Sequence, residues 1–102
     1  MSLNNNLTET NLYLSNLFMK KEFSKQYYVE VNGVATIGIN ISIDGYTPIA
    51  ISQVTSGEGY IALSTFTLNS NGTSVTLQVR NLWNDPLTRI CKVVILYAKN
   101  IA

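Results

Sequence analysis

The residues best suited to chemistry gather in one short segment, Asn81-Leu82-Trp83-Asn84-Asp85-Pro86. An indole flanked by amides and a carboxylate is the usual equipment for holding a sugar. The ring lies against C–H faces while the amides and carboxylate bond hydroxyls. Trp83, Asn81, Asn84 and Asp85, joined by Tyr46 from another turn, are therefore the candidate ligand-binding residues. A second reading of Trp83 is structural: its ring could cap the end of a core or pack on a neighbouring subunit. Both readings stand on the sequence.

Other chemistry is poorly supplied. The chain has no His, which excludes His-based triads, His proton shuttles and His metal sites. One cysteine, Cys91, excludes an internal disulfide and any CxxC zinc site, and its apolar flanks suit a small buried hydrophobe. Gly57-Glu58-Gly59 resembles the start of a phosphate-cradling loop, but the third glycine is missing and no helical pattern follows. Asp44 and Asp85 lack calcium-loop spacing and suit turns instead. The six carboxylates are scattered over separate segments, with no pair placed for glycoside hydrolysis. The expectation is a protein that is not an enzyme, with no cofactor and no metal. Three sequons, Asn6-Leu7-Thr8, Asn40-Ile41-Ser42 and Asn71-Gly72-Thr73, are matches expected by chance in a chain rich in Asn, Ser and Thr.

The elements that must carry the candidate loop follow from composition and spacing. A length of 102 residues suits one domain. Val, Ile and Thr number 28 and Asn 12, against five Ala, which favours pleated strands joined by polar turns. Charged residues are 13% of the chain and the net charge is +1, so a nucleic-acid partner, which needs a basic stripe, is not expected. The apolar runs 47–54 and 93–98 are far shorter than the roughly 20 residues of a spanning helix, and no signal-peptide pattern opens the chain. No membrane insertion is expected.

Turn signals recur at nearly even spacing: Asn32-Gly33, Asp44-Gly45, Gly57-Glu58-Gly59, Asn69-Ser70-Asn71-Gly72 and Asn84-Asp85-Pro86. Between them, 34–43 alternates Ala35, Ile37, Ile39, Ile41 and Ile43 with a mostly polar face, and 75–81 sets Val75, Leu77 and Val79 against Thr76, Gln78 and Arg80. A shorter run, 27–31, does the same. Runs 48–54 and 60–68 are less clean, and Pro48 belongs at a strand start or sheet edge. The fold class is thus an all-β antiparallel sandwich, jelly-roll-like, of about six to eight strands.

The last run is apolar on both faces at 93–97 and needs covering twice, which points to a second chain. Val94, Ile95, Leu96 and Tyr97 are the candidate oligomer interface. Arg80 joins them as a candidate partner for a carboxylate across a subunit boundary, or is simply solvated. Residues 1–25 read as a lead-in and 26–102 as the sandwich. Within the lead-in, Leu3, Leu7, Thr10, Leu14 and Leu17 step as a short heptad seam, and an irregular lead-in fits equally well.

From Tyr28 onward the order of segments is also distinctive. A strand ending in Val31-Asn32-Gly33 leads to the β-branched run and then to Asp44-Gly45-Tyr46-Thr47-Pro48-Ile49-Ala50-Ile51. Val79-Arg80-Asn81 and a terminal Val94-Ile95-Leu96-Tyr97-Ala98-Lys99 follow. This order, over about residues 26–100, resembles the C-terminal receptor-binding (head) domain of tail fibre and baseplate proteins from phages and prophages of Gram-positive bacteria. The resemblance implies a β-sandwich in a homotrimeric fibre tip on the virion, bound to host cell-wall saccharide and in contact with other tail proteins. It transfers no catalytic motif and no fixed site residue. A fibre tip ordinarily follows a long shaft, which these residues do not include, so a truncated gene product, a fragment of a longer fibre and a stand-alone accessory subunit are the expected forms. Two further readings remain: a trimerisation module with no ligand, and a bacterial carbohydrate-binding module.

Overall fold

Alternation decides the architecture. A computed structural model describes residues 17–57 and 59–101. It contains six strands: β1 (Phe18–Val29), β2 (Val34–Asn40), β3 (Tyr46–Thr55), β4 (Ile61–Leu68), β5 (Ser74–Asn81) and β6 (Leu87–Lys99). All five turn signals fall between consecutive strands. Asn32 and Gly45 take positive φ there (56° and 84°), which is what Asn-Gly and Asp-Gly turns supply at little steric cost.

The strands form two antiparallel three-stranded sheets, ordered β1-β6-β3 and β2-β5-β4. First pairs with last and second with fifth, so the chain folds over itself as in a jelly roll. The all-β sandwich expected from composition is the fold. Its core lies between the sheets: Ile37, Ile39, Ile41, Val75, Leu77 and Val79 from one face Val29, Cys91, Val93, Ile95 and Tyr97 from the other. These are the period-2 positions of the clean runs. Pro48 stands near the start of β3, an edge strand, where its missing N–H costs no ladder bond.

One boundary differs from the sequence reading. β1 begins at Phe18, so 18–25, assigned to the lead-in, makes up most of the 12-residue first strand; the heptad positions Leu3, Leu7, Thr10 and Leu14 lie outside the described residues. The cause is legible afterwards. Lys21 and Lys25 stand at inward positions of β1, opposite Ile95 and Cys91, and interrupt the apolar alternation. Lys25 turns its ammonium to the Gly38 carbonyl of β2 at 2.7 Å. Inward lysines on an edge strand block pairing with a further strand.

The interface candidates also separate. Ile95 and Tyr97 are fully buried in the intramolecular core, so the first cover of β6 is the facing sheet, and neither side chain is available to a second chain. Val94 and Leu96 point to the outer face of the β1-β6-β3 sheet and are half-buried by neighbours on β1 and β3. Arg80 is exposed on the outer face of the other sheet, paired between Val34 and Ala62. One patch cannot contain all five.

Buried tyrosines tie the loops to the core. The Tyr97 hydroxyl donates to the Ile41 carbonyl at 2.5 Å, and the Tyr27 hydroxyl donates to the Ser56 carbonyl. Burial pushes both phenols above their ordinary value of 10.0 and the Cys91 thiol above 9.0. The folded state therefore holds these protons more tightly than the unfolded chain. Their contribution is fully present below the unfolded values and is lost as pH rises through the folded ones. Urea unfolding is expected to show stability unchanged by these groups from neutral pH up to about 9 and falling above it. Tyr97→Phe should reduce that alkaline slope and cost about 1–3 kcal/mol at neutral pH, because the Ile41 carbonyl loses its donor. A stability that rises with pH in the alkaline range would contradict this account.

Candidate functional site

Three loops, 30–33, 56–60 and 82–86, leave the sandwich at the same end, since each joins strands that finish there. The segment singled out for chemistry is the third. Its foundation is Asn81, the last residue of β5. By alternation it follows Val75, Leu77 and Val79 onto the inner face, and it is fully buried. Its side-chain amide donates to the carbonyls of Val29 (3.3 Å) and Asp85 (2.8 Å), and its oxygen accepts the Trp83 N–H at 2.8 Å. One side chain thus closes the 82–86 turn and ties it to the end of β1 in the opposite sheet.

Trp83 is held by that turn at the surface, 37% exposed. Its ring stacks on Tyr60, with centroids 4.0 Å apart and planes inclined at 31°. The backbone explains the meeting. Ile61 pairs with Asn81, and the Leu82 N–H extends the ladder by donating to the Tyr60 carbonyl at 2.7 Å. Tyr60 adopts a left-handed φ of 60°, unusual for a bulky residue, and the residue is 55% exposed. Such a conformation costs on the order of 1–3 kcal/mol and persists only where neighbours hold it.

Beside the pair lies an open concavity of about 910 Å³. It exists because β3 leaves β6 after the Thr55–Lys92 pair, so that Thr88 to Cys91 have only β1 as a strand partner. Gly57, Gly59 and Tyr60 line this notch. Gly57, at φ 113°, rests directly on Arg89, and a Cβ there would come within 2.9 Å of the Arg89 Cβ. Tyr60, Gln26, Thr55, Thr88 and Lys92 are among the lining residues.

No family model, curated protein or solved structure matches the chain. The site must therefore be read from its own geometry.

Of the five sequence candidates, Trp83, Asn84 and Asp85 share the exposed turn. Asn81 is a correction: its amide is buried and occupied by three backbone groups, so it shapes the site without facing a ligand. Tyr46 is a second correction. It pairs with Lys99 at the far end of β6, roughly 40 Å along the strand from the 82–86 turn. There its ring meets Tyr97 edge-on, with centroids 6.4 Å apart, at the margin of the core. Tyr60 is the residue that sequence reasoning missed. Its signal was modest, an aromatic directly after Gly57-Glu58-Gly59; Glu58 itself lies outside the described residues. What the arrangement offers is an exposed aromatic stack followed, in the same turn, by an exposed amide and carboxylate. Among the described residues no three His, Cys, Asp or Glu groups converge for a metal.

Asn81→Ala is expected to destabilise the fold by about 1–3 kcal/mol, since the Val29 and Asp85 carbonyls and the Trp83 N–H lose their partner. Asn81→Asp should be worse, because a carboxylate cannot donate to two carbonyls. Trp83 is the chain's single tryptophan, so its emission reports this turn alone. A red shift should accompany either change; a native spectrum and an unchanged urea midpoint would show that Asn81 does not hold the turn.

Proposed function

We propose that this domain binds carbohydrate on a cell surface, as the receptor-binding tip of a phage or prophage tail. The observation that carries the binding half is the exposed Tyr60–Trp83 stack, mounted on a fully buried asparagine. A solvent-facing aromatic pair tied down by the turn presents apolar area to a sugar ring without first being ordered, and Asn84 and Asp85, exposed in the same turn, supply groups for hydroxyls. The low charge of the chain favours stacking and hydrogen bonding, so binding depends little on salt. The tail-tip half rests on the resemblance of residues 26–100 to receptor-binding head domains. On this reading the protein sits at the virion tail tip, and in the host cytoplasm during assembly, with other tail proteins as neighbours. Trp83→Ala should weaken binding to a responsive glycan by about ten- to a hundredfold, or about 1.4–2.8 kcal/mol, while circular dichroism and unfolding stay native. Undiminished glycan binding by that variant would remove the stack from the site.

A second reading is assembly. Phe18, Ile49, Leu96 and Ala98 place apolar side chains near one another on the outer face of the β1-β6-β3 sheet, toward the end away from Trp83. We take this as the homotrimer contact, the number three coming from the family resemblance. Three identical sites on one rigid tip would raise avidity by roughly 10²–10⁴ on a repetitive surface. Light scattering should give three times the chain mass, and Leu96→Lys should lower it; a stable monomer at micromolar concentration would leave the saccharide site without this multiplicity.

A further inference from the structure

The outer face of the β1-β6-β3 sheet is not uniform. Away from the apolar end, register sets three rows across it: Gln26 beside Ile90, Ser24–Lys92–Thr55, and Glu22–Val94–Gln53. The 910 Å³ concavity covers the first of these rows, and a second of about 290 Å³ covers the last. Both are lined by Thr55 and Lys92, so they are two parts of one groove. It starts at Tyr60 and follows β6 as far as Val94, roughly 20 Å at the strand's rise per residue.

We infer that this groove binds the continuing chain of a linear, uncharged polysaccharide, whose first ring lies on the Tyr60–Trp83 stack. The inference rests on the saccharide reading of that stack and extends it from a single sugar to a polymer. Three features select the occupant. The groove is continuous with the stack, because Tyr60 belongs to both. Its floor and walls offer amides and hydroxyls from Gln26, Gln53, Thr55 and Thr88, which suit sugar hydroxyls. Its rows also include Lys92, Glu22 and Ser24, residue types depleted at the centre of protein–protein interfaces, so a second copy of the chain is a poor fit here. The lining cations are Arg89 and Lys92, and Glu22 at the far end offsets one of them, so the groove lacks the run of positive charge that a polyanion needs.

A terminal-sugar site and a groove differ in how affinity depends on ligand length. The test is an array of linear neutral oligosaccharides of the glucan, chitin, mannan and rhamnan types, each displayed from monosaccharide to hexasaccharide. It is probed with the parent chain, Trp83→Ala, Thr55→Arg and Gln53→Ala. Thr55 and Gln53 are exposed on an edge strand, so both substitutions should leave the melting curve unchanged. The expected result is one responsive series whose hexasaccharide binds about ten- to a hundredfold more tightly than its monosaccharide, from one or two added net hydrogen bonds and buried ring faces. Thr55→Arg should erase that gain by obstructing the groove, and Gln53→Ala should reduce it, while both bind the monosaccharide as the parent does. Trp83→Ala should weaken every length. Equal affinity for all lengths, or a Thr55→Arg chain that binds the hexasaccharide like the parent, overturns the groove and leaves the aromatic site standing. Binding to no glycan on the array overturns both.

Discussion

Everything in this structure depends on β6 having two strand partners and a facing sheet. Thirteen residues long, it pairs with β1 along nearly its whole length and with β3 from Thr55 outward to Tyr46. Its inner side chains, Cys91, Val93, Ile95 and Tyr97, are fully buried. A central strand of this kind satisfies its backbone only when both neighbours are present, and its side chains only when β2, β5 and β4 close over them. That requirement sets the order of both sheets, and it brings three loops to one end of the sandwich. It also makes the notch: β3 is shorter than β6, and the length difference leaves the concavity beside Tyr60.

The candidate site is a product of that framework, with few residues of its own. Trp83 is where it is because the Asn81 side chain hydrogen-bonds three backbone groups, two of them within the turn and one in the opposite sheet. Tyr60 is where it is because β4 starts opposite the end of β5. Tyr60 and Leu82 continue the ladder one step past Ile61–Asn81, and Trp83, the next residue, brings its ring onto Tyr60 from the turn. Rigidity at the surface comes from burial one residue below it.

Much of the fold was legible in the residues. Ile37, Ile39 and Ile41 alternate cleanly, Val75, Leu77 and Val79 do likewise, and five Gly- or Asn-bearing turns separate the strands. Where legibility failed, the cause was pairing at long range. Lys21 and Lys25 spoil the local pattern of β1, whose partner, β6, is remote in the sequence. Tyr46 looked like a loop neighbour of Trp83 because both follow turn residues; the register of β6 sends them to opposite ends. Asn81 carried a usable signal, since alternation places it on the face of Val75, Leu77 and Val79. Its residue type, usually exposed, pointed the other way. The facing of Ile95 and Tyr97 was also implicit in the alternation of β6, but which face met the second sheet was not.

The pairing of Phe18 with Ala98 has a consequence for how the molecule comes to be folded. Strand β6 is the last of the six to be synthesised, and neither β1 nor β3 has a sheet neighbour until it arrives. The facing sheet is different, for β4, β5 and β2 can assemble earlier through closer contacts. Chains dominated by such distant pairings fold in milliseconds to seconds, slowly for their size, because loop closure must precede the contacts that reward it. During that interval a half-sandwich exposes the apolar faces of Ile37, Leu77 and Val79, the surface through which an incomplete chain would aggregate.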